Sequence, residues 1–250
     1  MWTLDTHTTV SHWRPEPSQP DATLIFSTRH GGVSAPPFDT LNLGRSTQDD
    51  PVAVSENRSR LLRVAGLDPA HLATAGQVHG ARVVEVESPG HVPECDALVS
   101  RVPGLALAVT TADCMSLLYH VPGAAAAAHA GWRGVAAGMP VATLEALVRL
   151  VGSPPSAATV HFGPCIRGCC YEVGEDVARQ FPADALRPGT GRPHLDLPTA
   201  ARMALRAAGV PEERIHDTGD CTACSPHGYF SYRRDAARTG RQWGVAAVRA

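Results

Sequence analysis

Three side chains that can bind a metal ion stand in separate short turns of the sequence: His79 in QVHG, Cys114 in TADC and His129 in AHAGWRG. Apolar runs that are typical of strands lie next to these turns. Zinc binds cysteine sulfur and histidine nitrogen, and a catalytic zinc site keeps three protein ligands and one open position. The three residues therefore predict an open metal site if the fold brings the turns together. The alternative is that the histidines are ordinary loop residues and Cys114 is a small buried apolar side chain.

The segment HAGWRG also has features of an anion site. Its glycines allow the backbone to approach a ligand closely, and it leads into a predicted helix whose first N–H groups are free. Arg133 lies in this segment, and Arg29 ends the predicted strand ATLIFSTR. Both are candidate phosphate ligands because guanidinium groups bind phosphate through paired hydrogen bonds. The alternative for each is a surface arginine in a turn.

Two further cysteine-rich segments, CIRGCC and CTAC, raise the question of a second metal site, because C-x-x-C pairs are common in zinc sites. They contain Cys165, Cys169, Cys170, Cys221 and Cys224. The spacing in the first segment is unusual and the second pair stands alone, so the question stays open. The chain has seven cysteines, an odd number that argues against a disulfide framework and favours a reducing cytoplasm.

Composition excludes several classes of protein. The chain has 250 residues, of which 44% are hydrophobic and 18% charged, which is typical of a globular protein. Its formal net charge is −2, and no basic stripe predicts nucleic acid or a membrane as partner. All 22 basic residues are arginine, which excludes a Schiff-base lysine and a Walker A loop. The N-terminal segment lacks the apolar region of a signal peptide, and no apolar run is long enough for a membrane span. We expect a cytoplasmic protein.

Short apolar runs bounded by turn residues predict the elements that must position these side chains. Strands are predicted at 22–29, 72–80, 81–88, 105–111, 115–120, 124–130, 157–163 and 242–249. Helices are predicted at 49–66, at 134–152 with an interruption near Pro140, at 173–181 and at 197–210. Residues 14–20 are expected to form a proline-rich lead-in.

The alanine run at 124–128 is ambiguous, because alanine has the highest helix propensity. The turn VPG precedes the run and GW ends it, so a central strand packed tightly on both faces is the better prediction. Strands and helices then mix without a regular βαβ rhythm. This order predicts an α+β fold, or a mixed-sheet α/β sandwich, in one domain spanning residues 1–250.

Ten segments in register resemble the bacterial YfiH family, also called the multicopper polyphenol oxidase or laccase-like family. They are, in order, FSTRHGGVS, NLG, ENR, QVHG, CDALV, TADC, AHAGWRG, GPCIRGCCYEVG, CTAC and YFSYRRDAARTGR. Members are also described as purine nucleoside phosphorylases and as peptidoglycan editing factors. The resemblance extends from about residue 22 to the end of the chain. Departures at RSTQDD after NLG, at Tyr229 and at AAR before TGR concern the rim of the pocket and one loop.

This resemblance implies an α/β sandwich shared with a bacterial toxin deamidase, and one zinc ion per chain bound by His79, Cys114 and His129 as the catalytic centre. It also implies substrate or phosphate contacts for Arg29 and for Arg58, in addition to Arg133. The implied reactions are phosphorolysis of adenosine, inosine, guanosine and methylthioadenosine, and deamination of adenosine. Purine nucleosides and phosphate would then be the partners. The laccase label implies copper for phenol oxidation.

Several alternatives remain open at the level of the sequence. Asp96 and Asp113 are the acids nearest to the metal-competent residues, and either a proton-transfer or a positioning role fits Asp113. A metal-free hydrolase or amidase would use Cys114 as nucleophile and His129 as base. Multicopper chemistry would need many more histidines in paired patterns. A protein that binds cell-wall precursors for editing is a further alternative.

Overall fold

The chain folds into two mixed β-sheets whose outer faces are covered by helices. Most of the predicted strands and helices are present. The computed structural model describes residues 1–189, 191–236 and 238–249. Within these residues the strands are β1 (Trp2–Asp5), β2 (His12–Pro15), β3 (Ala22–Ser27), β4 (Leu72–Ala75), β5 (Val83–Glu85), β6 (Gly90–Val92), β7 (Ala97–Ser100), β8 (Ala106–Thr111), β9 (Met115–Val121), β10 (Ala124–Ala130), β11 (Thr159–Phe162), β12 (Leu186–Arg187), β13 (His194–Leu195), β14 (Ile215–Asp217) and β15 (Gln242–Val248). The α-helices are α1 (Pro51–Val64), α2 (Trp132–Ala136), α3 (Met139–Val151), α4 (Glu175–Ala178) and α5 (Leu197–Ala207).

Strand order identifies the two large sheets among the described residues. Sheet A has the order β1-β2-β3-β15-β8-β4-β6, and sheet B has the order β14-β11-β9-β10-β7-β5. β15 pairs antiparallel with β3 and β8, whereas β4 pairs parallel with β8. β9 pairs antiparallel with β10 and β11, whereas β5 pairs parallel with β7. Both sheets are therefore mixed, and the predicted α+β, mixed-sheet sandwich is confirmed.

The core lies in layers on both faces of each sheet. Between the sheets, Phe26 and Leu107 of sheet A belong to the same buried cluster as Leu118 of sheet B. On the outer face of sheet A, a second cluster includes Leu61 of α1. On the outer face of sheet B, a third includes Leu144 of α3. Burial of these faces stabilises the sandwich because apolar surface is removed from water.

The alanine run forms the central strand β10, as predicted. Ala125 and Ala127 face the cluster between the sheets, and Ala124, Ala126 and Ala128 face the cluster that includes α3. The small side chains allow close packing on both faces, where α3 and β15 both contact β10. Tertiary packing outweighs the helix propensity of alanine, which amounts to less than about 1 kcal/mol per residue.

Helix boundaries differ from prediction at two places. The segment predicted as an interrupted helix forms α2 and α3, and Pro140 lies in the first turn of α3, where a missing N–H costs no hydrogen bond. The predicted helix at 173–181 is helical only over Glu175–Ala178. None of the described helices has the length and apolar character needed to cross a membrane.

The N-terminal hairpin of β1 and β2 was not predicted. Trp2 pairs with Pro15 at the end of β2, so the expectation of a lead-in at 14–20 is wrong for its first two residues. Trp2 and Trp13 are buried in the cluster between the sheets. Each strand has only four residues, too few for an alternating pattern to be recognised.

Candidate metal centre and active site

The register of one hairpin brings Cys114 and His129 to the same end of sheet B. His129, in β10, pairs with Ser116 in β9, and Ala130 pairs with Met115. Cys114 directly precedes β9 and therefore lies beside the end of β10. His79 comes from the loop that follows β4, a strand of sheet A. The site thus lies where strand ends of the two sheets meet.

The three metal-competent residues, which we call the donor trio, converge. One ligand atom from each of His79, Cys114 and His129 lies within 4.8 Å of the others. The two imidazole rings are 4.8 Å apart between centroids and inclined by 73°. His129 is buried, whereas His79 is exposed on the cavity side of the trio.

The neighbourhood of the donor trio is consistent with a zinc ion. A Cβ atom at Gly131 would lie 3.0 Å from the Cys114 Sγ and 3.2 Å from the His79 Nδ1, so the glycine keeps the space beside the two donors free. Two nitrogens and one sulfur form a donor set that zinc accepts. A zinc ion held by these three ligands would keep one coordination position for water or substrate.

Asp96 fixes two members of the trio. Its Oδ1 accepts hydrogen bonds from the His129 Nδ1 and the His79 backbone N–H, both at 2.9 Å. Its Oδ2 accepts the backbone N–H of Val78 at 3.2 Å and of Gly80 at 2.8 Å. Because a carboxylate only accepts, His129 carries a proton on Nδ1, so Nε2 is the ring nitrogen that could bind a metal ion after losing its own proton. Asp96, which is fully buried, therefore positions the site.

Electrostatics favour the thiolate form of Cys114. Burial alone would raise the pKa of this thiol, but the neighbouring His129 and His79 lower it to about 6. Burial alone would lower the pKa of His129, but Cys114 and Asp96 raise it to about 9. A cysteine binds metal or attacks carbon as the thiolate, so Cys114 is prepared for either role at neutral pH.

A cavity of about 920 Å³ opens over the donor trio. Three aromatic side chains line it: Trp132, Tyr171 and Tyr232. Five arginines line it as well: Arg45, Arg58, Arg133, Arg233 and Arg241. Asp113 is the only acidic residue on its wall among the described residues. The cavity has the size of a small-molecule site and a strongly cationic wall.

The lining arginines are not neutralised by the protein, since none of the five forms an ion pair within the described parts of the chain. The Arg58 guanidinium donates to the Leu43 carbonyl, but its buried Nη1 has no hydrogen-bond partner. Burial, and then Arg45, lower the pKa of Arg58 to about 9. An anion bound beside Arg58 and Arg45 would offset the repulsion between the two guanidinium groups.

The sequence also singled out Arg133 and Arg29, and only one of them lies at the cavity. Arg133 lies on the cavity wall, with its guanidinium 4.3 Å from the centroid of the Trp132 ring. Arg29 is not among the lining residues. Its Nη2 lies 3.1 Å from the Asp39 Oδ1, and its guanidinium stacks on Phe230. The structure therefore brings Arg58 and Arg133 to the site, but not Arg29.

Asp113, beside Cys114, has both carboxylate oxygens engaged. Oδ1 accepts the Thr222 hydroxyl at 2.6 Å, and Oδ2 accepts the Arg233 backbone N–H at 2.7 Å. Its φ of 87° lies in the left-handed region, which is uncommon for a residue other than glycine. These contacts hold the turn that presents Cys114, so the geometry favours a positioning role.

Several lining residues were not singled out individually, although the segments that contain them entered the comparison with the YfiH family. Arg45, Tyr171 and Arg241 lie in segments far apart along the chain, and none belongs to a local pattern of apolar and polar residues. The segment YFSYRRDAARTGR carries part of the family resemblance, and the structure places its Tyr232 and Arg233 on the cavity wall. The inserted AAR includes Ala237, which lies outside the described residues.

Comparison with known proteins places this geometry in context. Residues 23–249 match the family model described as multi-copper polyphenol oxidoreductase laccase. A purine nucleoside phosphorylase of Deinococcus radiodurans is 45% identical over 229 residues, covering 89% of this chain and 88% of the relative. Purine nucleoside phosphorylase ORF3 of Streptomyces griseus is 43% identical over 245 residues, covering 94% and 97%. The crystal structure of YlmD from Geobacillus stearothermophilus superimposes with a TM-score of 0.92 at 31% identity, covering 100% and 99%.

Proposed function

The chain belongs to the multi-copper polyphenol oxidoreductase laccase family, and we propose that it is a zinc-dependent purine nucleoside phosphorylase. The names of its relatives support phosphorolysis of purine nucleosides. The observation that carries the proposal is one cavity that contains both a metal-competent donor trio and five arginines, none of which has an ion-pair partner among the described residues. Its substrates would be adenosine, inosine, guanosine and methylthioadenosine, with phosphate as the second substrate.

His79, Cys114 and His129 would hold the zinc ion. When bound there, zinc would supply a Lewis acid that stabilises negative charge on an oxygen or nitrogen of the substrates. Asp96 would keep His129 in the tautomer that presents Nε2 and would hold the loop of His79 through its backbone N–H. The chain itself thus supplies the ligands and the group that orients them.

Phosphorolysis cleaves the bond between C1′ of the sugar and a purine nitrogen. A phosphate oxygen forms the new bond to C1′, and the purine leaves with the bonding electron pair and takes up a proton. The products are the free base and the sugar 1-phosphate. Arg58 and Arg133 would hold the phosphate, because their guanidinium groups are free of carboxylate partners within the described residues. The rings of Tyr171 and Tyr232 would pack against the nucleoside.

Deamination of adenosine is a second reaction proposed for the same cavity. It replaces the 6-amino group by oxygen from water and releases inosine and ammonia. An acid–base group must then move a proton at the purine. Asp113 is the carboxylate on the wall, but the Thr222 hydroxyl and the Arg233 N–H already engage it. The geometry therefore supports phosphorolysis better than it supports deamination.

A metal-free hydrolase is favoured by one observation, the chain of contacts from Asp96 through His129 to Cys114. An acid that orients a base next to a nucleophile is the arrangement of cysteine hydrolases. This alternative predicts that Cys114 reacts with iodoacetamide in the purified protein and that chelators have no effect. The zinc proposal predicts that Cys114 is protected until the metal is removed.

Copper oxidase chemistry has less support. In the part of the chain that the structure describes, two groups of metal-competent side chains are found, and neither has more than two histidines. Multicopper oxidation needs several copper ions with paired histidine ligands. Copper analysis of the purified protein, together with a phenol oxidation assay, tests this alternative directly.

The decisive experiment combines metal analysis with product chromatography. Adenosine and inosine are incubated with the zinc-containing protein, with and without phosphate. Phosphorolysis predicts adenine or hypoxanthine together with ribose 1-phosphate, only when phosphate is present. Inosine formed from adenosine without phosphate would show deamination. Absence of any product from a protein that contains zinc would refute the nucleoside proposal.

The role of the arginines is tested by a matched pair on α1. Arg58→Gln removes the charge on the cavity wall, whereas Arg60→Gln removes an arginine that pairs with Glu56 at the helix surface. Hydrogen bonds to charged groups contribute roughly 1.5–3 kcal/mol, so Arg58→Gln should raise the KM for phosphate about ten- to a hundredfold. Arg60→Gln should leave it unchanged. Equal KM values in the two variants would remove Arg58 from the phosphate site.

A further inference from the structure

The two cysteine-rich segments converge at a second place, outside the cavity. We call this group the cysteine cluster: Cys169, Cys170, Cys221 and Cys224. Its four sulfur atoms all lie within 4.8 Å of one another, and the Sγ atoms of Cys169 and Cys224 are 3.7 Å apart. All four cysteines are free thiols in the structure.

We infer that the cysteine cluster binds one zinc ion through four thiolates. In a tetrahedral site with a Zn–S distance of about 2.3 Å, the sulfur atoms are about 3.8 Å apart. The spacing of Cys169 and Cys224 has this value. Four ligands fill the coordination sphere, so the ion has no position for a substrate and acts on the structure of the protein.

Hydrogen bonds of the backbone hold the two segments next to each other. Cys165 and Cys221 form a parallel bridge, in which the Thr222 N–H donates to the Cys165 carbonyl at 3.0 Å. The Ser225 N–H donates to the Cys221 carbonyl at 2.9 Å and closes the turn that contains CTAC. The Cys170 N–H donates to the Arg167 carbonyl at 2.8 Å in the opposing turn. Each turn thus places two sulfur atoms without help from the ion.

The surroundings of these thiols differ from those of the other cysteines. Cys95 and Cys165 lie among apolar side chains in buried clusters, where a cysteine packs as a small apolar residue. Cys169 and Cys224 are exposed and contact each other. Apolar packing therefore does not account for their positions, whereas a shared ion does.

The cysteine cluster adjoins the wall of the active-site cavity. Thr222, between two of the cysteines, donates its hydroxyl to Asp113. Ile166 donates its N–H to the Asp113 carbonyl at 2.9 Å, and Tyr171 follows Cys170 directly. Ile166, Tyr171 and Asp113 all line the cavity. An ion that joins the two segments would therefore hold this part of the wall in place.

Metal analysis in a Cys114→Ala background tests the inference independently of the proposed function. Any zinc that remains in this variant, purified with reductant and without chelator, cannot depend on the complete donor trio. We expect one zinc per chain in Cys114→Ala and none when Cys169→Ser and Cys224→Ser are added. X-ray absorption at the zinc edge of Cys114→Ala should show four sulfur ligands. Cys95 lies outside both groups, so the control variant that combines Cys114→Ala with Cys95→Ala should still bind one zinc ion.

Three results would overturn the inference. They are a Cys114→Ala protein without metal, a bound metal that is iron, and cysteines of the cluster joined as disulfides after reductive purification. If the multiple variant does not fold, the sulfur count from the absorption spectrum of Cys114→Ala still decides. An enzyme without phosphorylase activity that keeps a four-sulfur zinc would refute the proposed function and leave this inference intact.

Discussion

The donor trio and the cysteine cluster use the same sulfur chemistry in opposite settings. The trio contributes three donors at the bottom of a cavity of about 920 Å³, beside arginines. The cluster contributes four thiols outside the cavity, of which those of Cys169 and Cys224 are exposed and that of Cys221 is buried. Zinc in an open three-ligand site acts on a substrate, whereas zinc in a closed four-ligand site stabilises a fold. Ligand number would therefore separate the two proposed roles more clearly than residue type.

The means of positioning differ as well. Buried Asp96 orients the trio through the His129 ring and the backbone N–H of the His79 loop. Two turns, each closed by backbone hydrogen bonds, present the cluster, and no carboxylate hydrogen-bonds to a sulfur atom of the cluster within the described residues. A reactive centre requires a defined tautomer and ring orientation, and a carboxylate supplies both. A tetrathiolate site needs only four sulfur atoms at the right spacing.

The largest effect is expected for Cys114→Ala, which should lower turnover much more than it lowers thermal stability. Cys114→Ala removes the only sulfur of the trio, so phosphorolysis should fall on the order of 10³-fold, as when a principal electrostatic group is deleted. The melting temperature should change little. Cys224→Ser should do the reverse, lowering the melting temperature more than the turnover of the folded enzyme. Calorimetry measures the melting temperature of both variants, and product assays measure their turnover. Equal losses of turnover in Cys114→Ala and Cys224→Ser would contradict the division into a catalytic trio and a structural cluster.

Asp96→Asn tests the carboxylate that orients the trio. The amide cannot accept hydrogen bonds at both Oδ positions, so part of the His79 loop would lose its partners. Loss of such a group typically costs about 10- to 100-fold in metal affinity or activity. Competition with a chelator measures the affinity. Asp184→Asn, at an exposed position, is the control and should keep the affinity of the unmodified protein.

Alkylation after metal removal should distinguish the two thiol environments by pH. Cys114, with a pKa of about 6, should be mostly thiolate at pH 7 and about tenfold less so at pH 5. Desolvation, together with hydrogen bonds that the Cys169 thiol donates to Cys221 and Cys224, raises the pKa of Cys169 to about 11, so this thiol should stay protonated across the range. Mass spectrometry of labelled peptides measures both. A Cys114 rate that still rises steeply between pH 7 and pH 9 would contradict the thiolate assignment.

The smallest effect is expected at the contact between the two regions. Thr222→Val keeps the shape of the side chain but removes the hydroxyl that Asp113 accepts. A hydrogen bond to a charged group contributes roughly 1.5–3 kcal/mol to stability. Because this bond supports the cavity wall and contacts neither substrate nor metal ligands, turnover should fall less than about tenfold while both proposed metal sites stay filled. Thr3→Val, at an exposed strand position, serves as the control. Turnover equal to that of the control would show that the cavity wall does not depend on this contact.

Much of the fold could be predicted because it depends on local patterns. Apolar runs and turn residues predicted β3, β8, β9, β10 and β15, and the helix predicted at 49–66 contains α1, whose first turn is capped by Asp50. The four-residue strands β1 and β2 were missed because they carry no period. The short helix α4 was predicted too long, since the apolar spacing of its segment continues beyond Ala178.

The sequence by itself determined which chemistry the chain can perform: thiol, imidazole and guanidinium groups are present, and lysine is absent. It also singled out His79, Cys114 and His129, because each stands at the edge of a recognisable strand. Only the tertiary structure decided that Arg45 and Arg241 share a cavity, that Arg29 lies outside it, and that CIRGCC meets CTAC. The physical reason is that strand register and sheet packing set the distances between remote segments, and neither is encoded in any one local pattern.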